Sequence, residues 1–261
     1  MCGIFCSLSN KHFVAPSPKD LQLLKRRGPD SCQTVQRKIH SKVEEATWYL
    51  TVSATVLSLR GDRLTEQPIE DPHSNSLFCW NGEAWTVDGK SLGGNDAQAV
   101  FDLLLGATQL GVHCHQEPPA RDASLRKVAD ALGSIAGPFA FLYFDAYHER
   151  VFLGRDVLGR RSLLKHVEQD GCLIISSTSS HADLSTWIEV EADGIYTIDI
   201  SNIPKCSNGR AIPEGREMAF EIEHIPWSIQ QRTDILTLSS VRALPEFRLS
   251  DPTDGLKRVH P

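Results

Sequence analysis

Short apolar stretches that predict β-strands fill most of the first 200 residues. Residues 3–8 form one such run, and residues 48–59 are rich in β-branched side chains that alternate over the second half. More strands are predicted at 76–80, 139–145, 151–154, 161–165, 172–176 and 194–199. Residues 84–87 are expected to return beside 76–80 across an Asn81-Gly82 turn. Residues 37–45 are mostly polar and predict a loop or a ragged edge strand.

Three helices interrupt these strands. Ser17-Pro18 predicts the start of the first helix, and Gly28-Pro29 its end. The second helix begins after Asn95 and carries one apolar stripe, formed by Ala97, Val100, Phe101, Leu104 and Leu105. A third helix is predicted from about residue 121 to 132. Strands, then two helices, then strands with few parallel crossovers predict an α+β fold with antiparallel sheets.

The periodic pattern fades beyond residue 203, where prolines and charges increase. We therefore predict one domain over residues 2–204 and a C-terminal extension over residues 205–261 that is partly disordered. A chain of 261 residues suits one large domain with an appendage.

Composition excludes several classes of function. Hydrophobic residues make up 41% of the chain and charged residues 23%, which is typical of a soluble globular protein. The net charge of −6 argues against a nucleic-acid partner, and the absence of a long apolar run argues against a membrane span. The N-terminus lacks a secretory signal pattern, and seven scattered cysteines favour reduced thiols. The chain is expected to be cytoplasmic.

Candidate chemistry begins at Met1-Cys2-Gly3. If Met1 is removed, Cys2 carries a thiol with an ordinary pKa of about 8.5 and an α-amine with a pKa of about 7.7–8.0. A base so close in pKa to the nucleophile can take the thiol proton directly or through one water. A Met-Cys start is commonplace by itself, so this prediction depends on motifs further along the chain.

Seven short motifs occur in a fixed order over residues 2–200. They are CGI at 2–4, RRGPD at 26–30, LSLR at 57–60, WNGE at 80–83, GNDAQ at 94–98, GPFAF at 137–141 and GRDVLGRR at 154–161. In this order and spacing the chain resembles a class II glutamine amidotransferase domain of the asparagine synthetase family. The resemblance implies an N-terminal-nucleophile hydrolase fold, a four-layer αββα sandwich of two antiparallel sheets between helices.

The resemblance also implies a glutaminase reaction. Cys2 would attack the side-chain amide of L-glutamine, with its own α-amine as base and later as acid toward the leaving ammonia. The side-chain amide of Asn81 and the backbone N–H of Gly82 match the family's oxyanion hole. Glycine at position 82 is expected because a turn backbone must approach the ligand closely. Asn81-Gly82 by itself is more typical of a plain hairpin turn.

Three charged residues match the family's positions for binding free glutamine. Arg60 suits the α-carboxylate through its bidentate fork, and Glu83 and Asp96 match the acceptors of the α-ammonium. Backbone carbonyls near Leu59 are expected to help. In isolation, Arg60 is more typical of a surface cation at a strand end, and Glu83 of a turn carboxylate.

Two further motifs are predicted to be supporting structure. Arg27, Gly28 and Asp30 are expected to form a loop near the nucleophile, without an assigned chemical step. Gly154, Arg155, Asp156 and Gly159 are expected to form a tight turn that holds an ion pair.

No metal site is predicted. His113-Cys114-His115 has donor atoms that suit zinc, but the motif lacks a second ligand pair and is expected to be a solvated loop. Cys6 is expected to be a core thiol rather than a second nucleophile.

The sequence departs from the family in two motifs, and it lacks the ATP-using synthetase domain. NGEAWT replaces the usual NGEIYN after Trp80, and Arg26 replaces the usual histidine. The Ser-Gly-Gly-x-Asp-Ser loop that cradles pyrophosphate in asparagine synthetases is absent, as is a P-loop. No cofactor is therefore expected in this chain, since ATP and Mg²⁺ belong to the missing synthetase domain. The C-terminal extension is interpreted as the start of, or a linker to, that domain.

Three functions follow from this sequence. The first is a glutaminase that resembles the ammonia-supplying half of glutamine-hydrolysing asparagine synthase, with L-glutamine as substrate and a synthetase domain or subunit as a candidate partner. The second is hydrolysis of another γ-glutamyl amide or peptide by the same residues. The third is a degenerate regulatory or interaction module, which the joint presence of all six site residues argues against.

Overall fold

Two six-stranded sheets form the centre of the molecule in a computed structural model that describes residues 1–40, 46–109, 121–181, 185–203 and 220–228. From edge to edge, the first sheet contains β13 (Ile188–Glu189), β11 (Leu164–Val167), β12 (Leu173–Ser176), β1 (Gly3–Ser9), β3 (Thr47–Val56) and β2 (Ser31–His40). The second contains β15 (Ile222–Pro226), β14 (Gly194–Asp199), β10 (Arg150–Arg155), β9 (Phe139–Asp145), β5 (Leu77–Gly82) and β4 (Ile69–Glu70). Neighbouring strands in both sheets are antiparallel.

Three helices and a small third sheet complete the described fold. The helices are α1 (Pro18–Arg27), α2 (Asp96–Gln109) and α3 (Arg121–Gly133). The small sheet joins β7 (Lys90–Ser91), β6 (Thr86–Val87) and β8 (Ile135–Ala136). The Ser17 hydroxyl accepts a hydrogen bond from the Asp20 N–H, and the Asn95 side chain accepts one from the Gln98 N–H. Both predicted helix starts are therefore capped as their sequences indicate.

The core lies in three layers. Between the sheets, apolar residues of β1 and β3 meet those of β5, β9 and β10. On the outer face of the second sheet, aromatic residues of β5 and β9 pack against α2 and α3, while Leu24 of α1 packs against Phe5 and Ile174 on the outer face of the first. The predicted α+β fold with αββα layers is confirmed. Burial of both sheet faces explains why β1 and β9 are apolar along their whole length.

The edge-strand alternative for residues 37–45 is found at residues 37–40, and the strand is longer than expected because it begins at residue 31; residues 41–45 lie outside the described residues. Most side chains of β2 are polar because it is an edge strand with one face in solvent. The prediction of a hairpin at residues 81–82 was wrong. Asn81-Gly82 is not a hairpin turn: it ends β5, opposite Ala140 and Phe139 of β9. Residues 86–87 therefore do not return beside β5 but pair with β8 in the small sheet.

The C-terminal region contributes one strand that the hydrophobic pattern did not predict. Residues 222–226 pair with β14 at the edge of the second sheet, and Phe220 is buried in the core between the sheets. The predicted domain boundary at residue 204, most of the extension and the His113-Cys114-His115 motif lie outside the described residues. No helix in the described ranges is long and apolar enough to cross a membrane.

Candidate active site

Cys2 lies directly before β1, a central strand of the first sheet. Gly3 begins that strand so close to β3 and α1 that a Cβ atom would lie 2.5 Å from the Thr55 hydroxyl and 2.9 Å from a Leu24 methyl group. Glycine at position 3 therefore lets the N-terminus approach both neighbours. The Arg27 Nε donates a hydrogen bond of 3.1 Å to the Cys2 carbonyl, which holds the nucleophile candidate against α1.

All six residues predicted for the site line one cavity of about 290 Å³. They are Cys2, Arg60, Asn81, Gly82, Glu83 and Asp96. These residues come from the N-terminus, the loop after β3, the end of β5 and the start of α2. Residues separated by up to 94 positions thus meet where the edges of several elements converge. The structure assembles the predicted set without assigning a role to each member.

Asn81 is the most unusual wall residue of this cavity. It is 1% exposed, and neither its side-chain oxygen nor its side-chain nitrogen has a hydrogen-bond partner among the described residues. Because a buried amide without partners costs free energy, this side chain is suited to a ligand. Gly82 follows it, and a Cβ there would lie 2.7 Å from the Cβ of Phe139 and 2.8 Å from the Pro138 carbonyl. Packing against β9 thus requires a glycine at position 82. The reason predicted from the sequence was the close approach of a ligand to this backbone.

Asp96 is a buried carboxylate at the first position of α2. Its Oδ2 accepts hydrogen bonds from the Trp80 indole N–H at 2.9 Å and from the Ala84 backbone N–H at 2.8 Å. These two bonds tie the start of α2 to the end of β5. A carboxylate at a helix N-terminus is also stabilised by the helix dipole.

Arg60 lines the cavity from the loop after β3. Its two terminal nitrogens donate to the carbonyls of Ala84 at 2.7 Å and Leu92 at 2.8 Å, which fixes the guanidinium plane. Its remaining N–H groups keep the capacity to bind a carboxylate. The Asn95 side chain, besides capping α2, donates to the Arg60 carbonyl at 3.4 Å. Glu83 is exposed, so this carboxylate lies at the rim of the cavity.

The two ionisable groups of the N-terminus have pKa values shifted in opposite directions. Burial lowers the pKa of the Met1 α-amine, and the positive charges of Arg27 and Arg161 lower it further. Burial raises the pKa of the Cys2 thiol, although the Leu57 carbonyl, the N-terminal amine and Arg27 act in the other direction. The Cys2 Sγ lies 3.9 Å from that carbonyl. Both net shifts favour a neutral thiol and a neutral Met1 amine in the chain that keeps Met1.

The predicted supporting loop forms hydrogen bonds to α1, to the end of β3 and to the loop that carries Arg60. Gly28 ends α1 by donating its N–H to the Leu24 carbonyl at 3.1 Å. Asp30 donates its backbone N–H to the Val56 carbonyl and accepts a 2.8 Å hydrogen bond from the Ser58 N–H. It thereby fixes the loop that carries Arg60. These contacts agree with a supporting role and leave the chemistry to other residues.

The turn at residues 154–159 holds two ion pairs rather than one. Asp156 pairs with Arg160 at 2.9 Å, whereas Arg155 pairs with Glu189 of β13 at 2.7 Å. Cys6 is buried, and its pKa is raised by burial, as expected for a core thiol. Among the described residues, no group of three or more histidine, cysteine or acidic side chains is arranged to hold a metal ion.

Sequence reasoning missed several residues of the cavity wall. Gln67 is buried and accepts a 2.7 Å hydrogen bond from the Trp80 N–H. Arg161 also lines the cavity, although its motif had been treated as structural. Gln67 belongs to no motif, and no sequence signal separates it from other loop residues. Arg161 was visible only as the end of the GRDVLGRR motif.

The chain is similar in sequence to proteins described as asparagine synthetase domain-containing. Asparagine synthetase domain-containing protein 1 from Bos taurus is 35% identical over 208 residues, which cover 77% of the chain and 29% of that protein. The protein of the same name from Homo sapiens is 33% identical over the same coverage. The chain therefore belongs to the asparagine synthetase domain family, as its motifs predicted. The chain spans less than a third of the length of these asparagine synthetase domain-containing relatives.

Solved structures support the same fold. Glutamine phosphoribosylpyrophosphate amidotransferase from B. subtilis superposes with a TM-score of 0.53 at 14% identity, covering 87% of the chain and 49% of that enzyme. A structure described as the allosteric regulatory enzyme of purine biosynthesis gives a TM-score of 0.54 with the same coverage. No protein-family model matches the chain. At this identity the two structures show that the chain shares their fold.

Proposed function

We propose that this chain is a glutaminase that hydrolyses the side-chain amide of L-glutamine to glutamate and ammonia through a thioester on Cys2. The observation that carries the proposal is that Cys2 and the buried Asn81 line the same cavity. Asn81 is a buried amide whose polar atoms have no hydrogen-bond partner among the described residues. A donor held ready in this way suits the oxyanion of a tetrahedral intermediate.

The reaction begins once Met1 has been removed and the α-amine belongs to Cys2. The neutral amine takes the thiol proton, and the thiolate attacks the side-chain carbonyl carbon of glutamine. The Asn81 N–H and the Gly82 backbone N–H stabilise the oxyanion. The protonated amine then gives its proton to the leaving nitrogen, so that ammonia departs and a thioester remains. Water, deprotonated by the same amine, hydrolyses the thioester to glutamate and restores Cys2.

Substrate binding uses the charged residues that line the same cavity. Arg60 is held by two backbone carbonyls with donors to spare, and it binds the α-carboxylate of glutamine. Asp96 and the rim residue Glu83 accept from the α-ammonium. Asp96 is already oriented by its bonds to Trp80 and Ala84, so little rotamer freedom is lost on binding.

The decisive measurement is glutamate release from glutamine by the chain with Cys2 exposed at its N-terminus by cleavage of a fusion partner. Cys2→Ala is expected to lower kcat by at least about 10³-fold. A form that retains Met1 is expected to be inactive, because the α-nitrogen of Cys2 is then part of the peptide bond to Met1 and cannot act as a base. Cys32→Ala is the matched control, since Cys32 is a half-buried thiol on β2 outside the cavity. A glutamine-analogue electrophile should add its mass to Cys2 alone.

Activity that survives Cys2→Ala would contradict the Cys2 mechanism. An exposed Cys2 that neither releases glutamate nor reacts with the electrophile would favour a regulatory or interaction module instead.

We further propose that the ammonia is used by a synthetase domain or subunit beyond these 261 residues. The sequence holds no loop of the type that cradles pyrophosphate in asparagine synthetases. This chain supplied with glutamine, aspartate, ATP and Mg²⁺ is therefore expected to form glutamate but no asparagine. Asparagine formed by the purified chain would contradict this division of labour.

A further inference from the structure

Arg161 places its guanidinium on the wall of the Cys2 cavity, and no counter-ion for it is found among the described residues. Its Nε is buried and has no hydrogen-bond partner, and no ion pair of its side chain is found among the described residues. Its backbone carbonyl, by contrast, accepts a 2.6 Å hydrogen bond from the Arg155 Nε. The fold thus fixes the main chain of Arg161 and leaves the charged end of its side chain for a ligand.

Arg161 lies on the N-terminal side of the cavity: its neighbour Ser162 donates a 2.9 Å hydrogen bond to the Ser177 carbonyl, and the Ser177 N–H donates to the Ile4 carbonyl, two residues after Cys2. Its charge lowers the pKa of the Met1 amine, and it also lowers the pKa of Arg27, whose Nε binds the Cys2 carbonyl. Arg60 is anchored elsewhere, to the carbonyls of Ala84 and Leu92. The two arginines of the cavity therefore have different neighbours, and only Arg161 belongs to the N-terminal group of positive charges.

This position corresponds to the leaving-group side of the proposed reaction. The α-amine gives its proton to the departing nitrogen, so whatever is attached to that nitrogen lies near the amine and its neighbours. Glutamine has nothing there, because its leaving group is ammonia. The positive charges of Arg27 and Arg161 repel one another, and a carboxylate bound to Arg161 would relieve that repulsion.

We propose that the site also takes γ-glutamyl amides whose leaving amine carries a carboxylate, namely γ-glutamyl amino acids and short γ-glutamyl peptides, with Arg161 binding that carboxylate. The inference rests on the proposed Cys2 chemistry. Met1 lines the same cavity, so its removal enlarges the space next to Arg161. Cys2 forms the thioester as the C–N bond breaks, the leaving amino acid takes the proton from the α-amine, and water releases glutamate.

The test compares γ-L-glutamylglycine, γ-L-glutamyl methylamide and glutamine as substrates of the chain with Cys2 exposed. The first two have substituted leaving amines and differ in the carboxylate. The wild-type chain is expected to have a kcat/KM for γ-glutamylglycine at least about tenfold above that for the methylamide, the scale of one hydrogen bond to a charged group. Arg161→Gln should bring that ratio close to one, and Arg161→Lys should restore part of it. Arg26→Gln, on the exposed face of α1, is the matched control.

Each outcome separates this inference from the proposed glutaminase. If glutamine is hydrolysed but the ratio is near one in the wild-type chain, or is the same in Arg161→Gln, the leaving-group subsite is wrong and the glutaminase stands. An equal loss for all three substrates would make Arg161 a residue for the glutamyl part and would also overturn the subsite. An Arg161-dependent ratio without glutamine hydrolysis would support the subsite and overturn glutamine as substrate. Failure of all three substrates overturns both, and unchanged thermal midpoints verify that the variants are folded.

Discussion

Two polar regions of this molecule contain similar side chains but differ in hydrogen bonding. In one region the named side chains have their hydrogen-bond partners, and in the other two buried groups have none among the described residues. In the turn after β10, Asp156 accepts hydrogen bonds from the backbone N–H groups of Phe139, Leu158 and Arg160 and from the Arg160 Nε. The Arg155 guanidinium in the same turn donates to the carbonyls of Gly159, Arg161 and Val190. In the Cys2 cavity, the Asn81 amide and the Arg161 Nε have no such partners among the described residues.

The contrast separates residues that hold the fold from residues that are available to a ligand. A buried polar group with all its hydrogen bonds made gives structure, and its removal exposes the partners it leaves behind. A buried polar group without hydrogen bonds already destabilises the folded state through its lost hydration, so its removal should hardly lower the stability of the fold. The two clusters adjoin at residues 160–161, which makes this a comparison within one small region.

The largest effect on stability is expected at the satisfied cluster. Asp156→Ala leaves three backbone N–H groups and the Arg160 guanidinium without their acceptor, and it should lower the free energy of unfolding by about 3 kcal/mol or more. Urea unfolding followed by fluorescence measures this loss. Glu189→Gln is the control, because Glu189 pairs with Arg155 from a side chain that is 62% exposed, and its loss should cost about 1 kcal/mol or less. Equal losses in the two variants would contradict the assignment of Asp156 to the structural cluster.

The open cluster should show the reverse pattern. Asn81→Ala is expected to lower kcat for glutamine by about 10²–10³-fold, the cost of one oxyanion donor, with a smaller change in KM. Its thermal midpoint should stay close to that of the wild-type chain, since no protein hydrogen bond is lost in the described region. A kinetic assay and a thermal melt on the same preparation measure both quantities. A large drop in the midpoint with proportionate loss of activity would show that Asn81 belongs to the fold.

The smallest effect concerns the charges around the nucleophile in the chain that keeps Met1. Burial raises the pKa of the Cys2 thiol, so less thiolate is present near pH 7.5 and alkylation by iodoacetamide should be slower than for free cysteine. The rate should rise with pH until the raised pKa is passed. Arg27→Gln removes a cation that lowers this pKa, so the profile should move to still higher pH.

Mass spectrometry of Cys2 over a pH series measures that profile. Arg26 is the exposed neighbour of Arg27, so Arg26→Gln is the control and should leave the pH profile of Cys2 alkylation unchanged. A profile unchanged in Arg27→Gln would mean that Arg27 acts on Cys2 only through the hydrogen bond to its carbonyl.

Most of the fold was predictable because its strands bury both faces. Residues 139–145 and 194–199 are apolar enough that their strands matched the structure residue for residue. The first six residues of the edge strand β2 were missed, and its remainder was predicted only as a loop or an edge strand, because an edge strand in solvent has no need of an apolar pattern. The strand at residues 222–226 was missed for the same reason, since its side chains are largely exposed.

The candidate site was predictable as a set of residues, and its internal geometry was not. Cys2, Asn81 and Asp96 belong to local motifs that the resemblance carries. The lack of partners around Asn81 and Arg161 depends on which backbone groups other elements bring nearby, and this cannot be derived from local spacing. Glycine at position 82 shows the same limit, because its reason is the Phe139 Cβ on another strand.

The sequence by itself determined the layers of the fold, the caps of α1 and α2 and the identity of the six cavity residues. Those features depend on hydrophobic period, local hydrogen bonding and residue type, all of which are written along the chain. Only the tertiary structure decided which polar groups are satisfied and which remain open, because hydrogen-bond satisfaction is a property of neighbours distant in sequence. That distinction separates Arg155 from Arg161, six residues apart, and makes one of them part of the fold and the other a proposed contact for substrate.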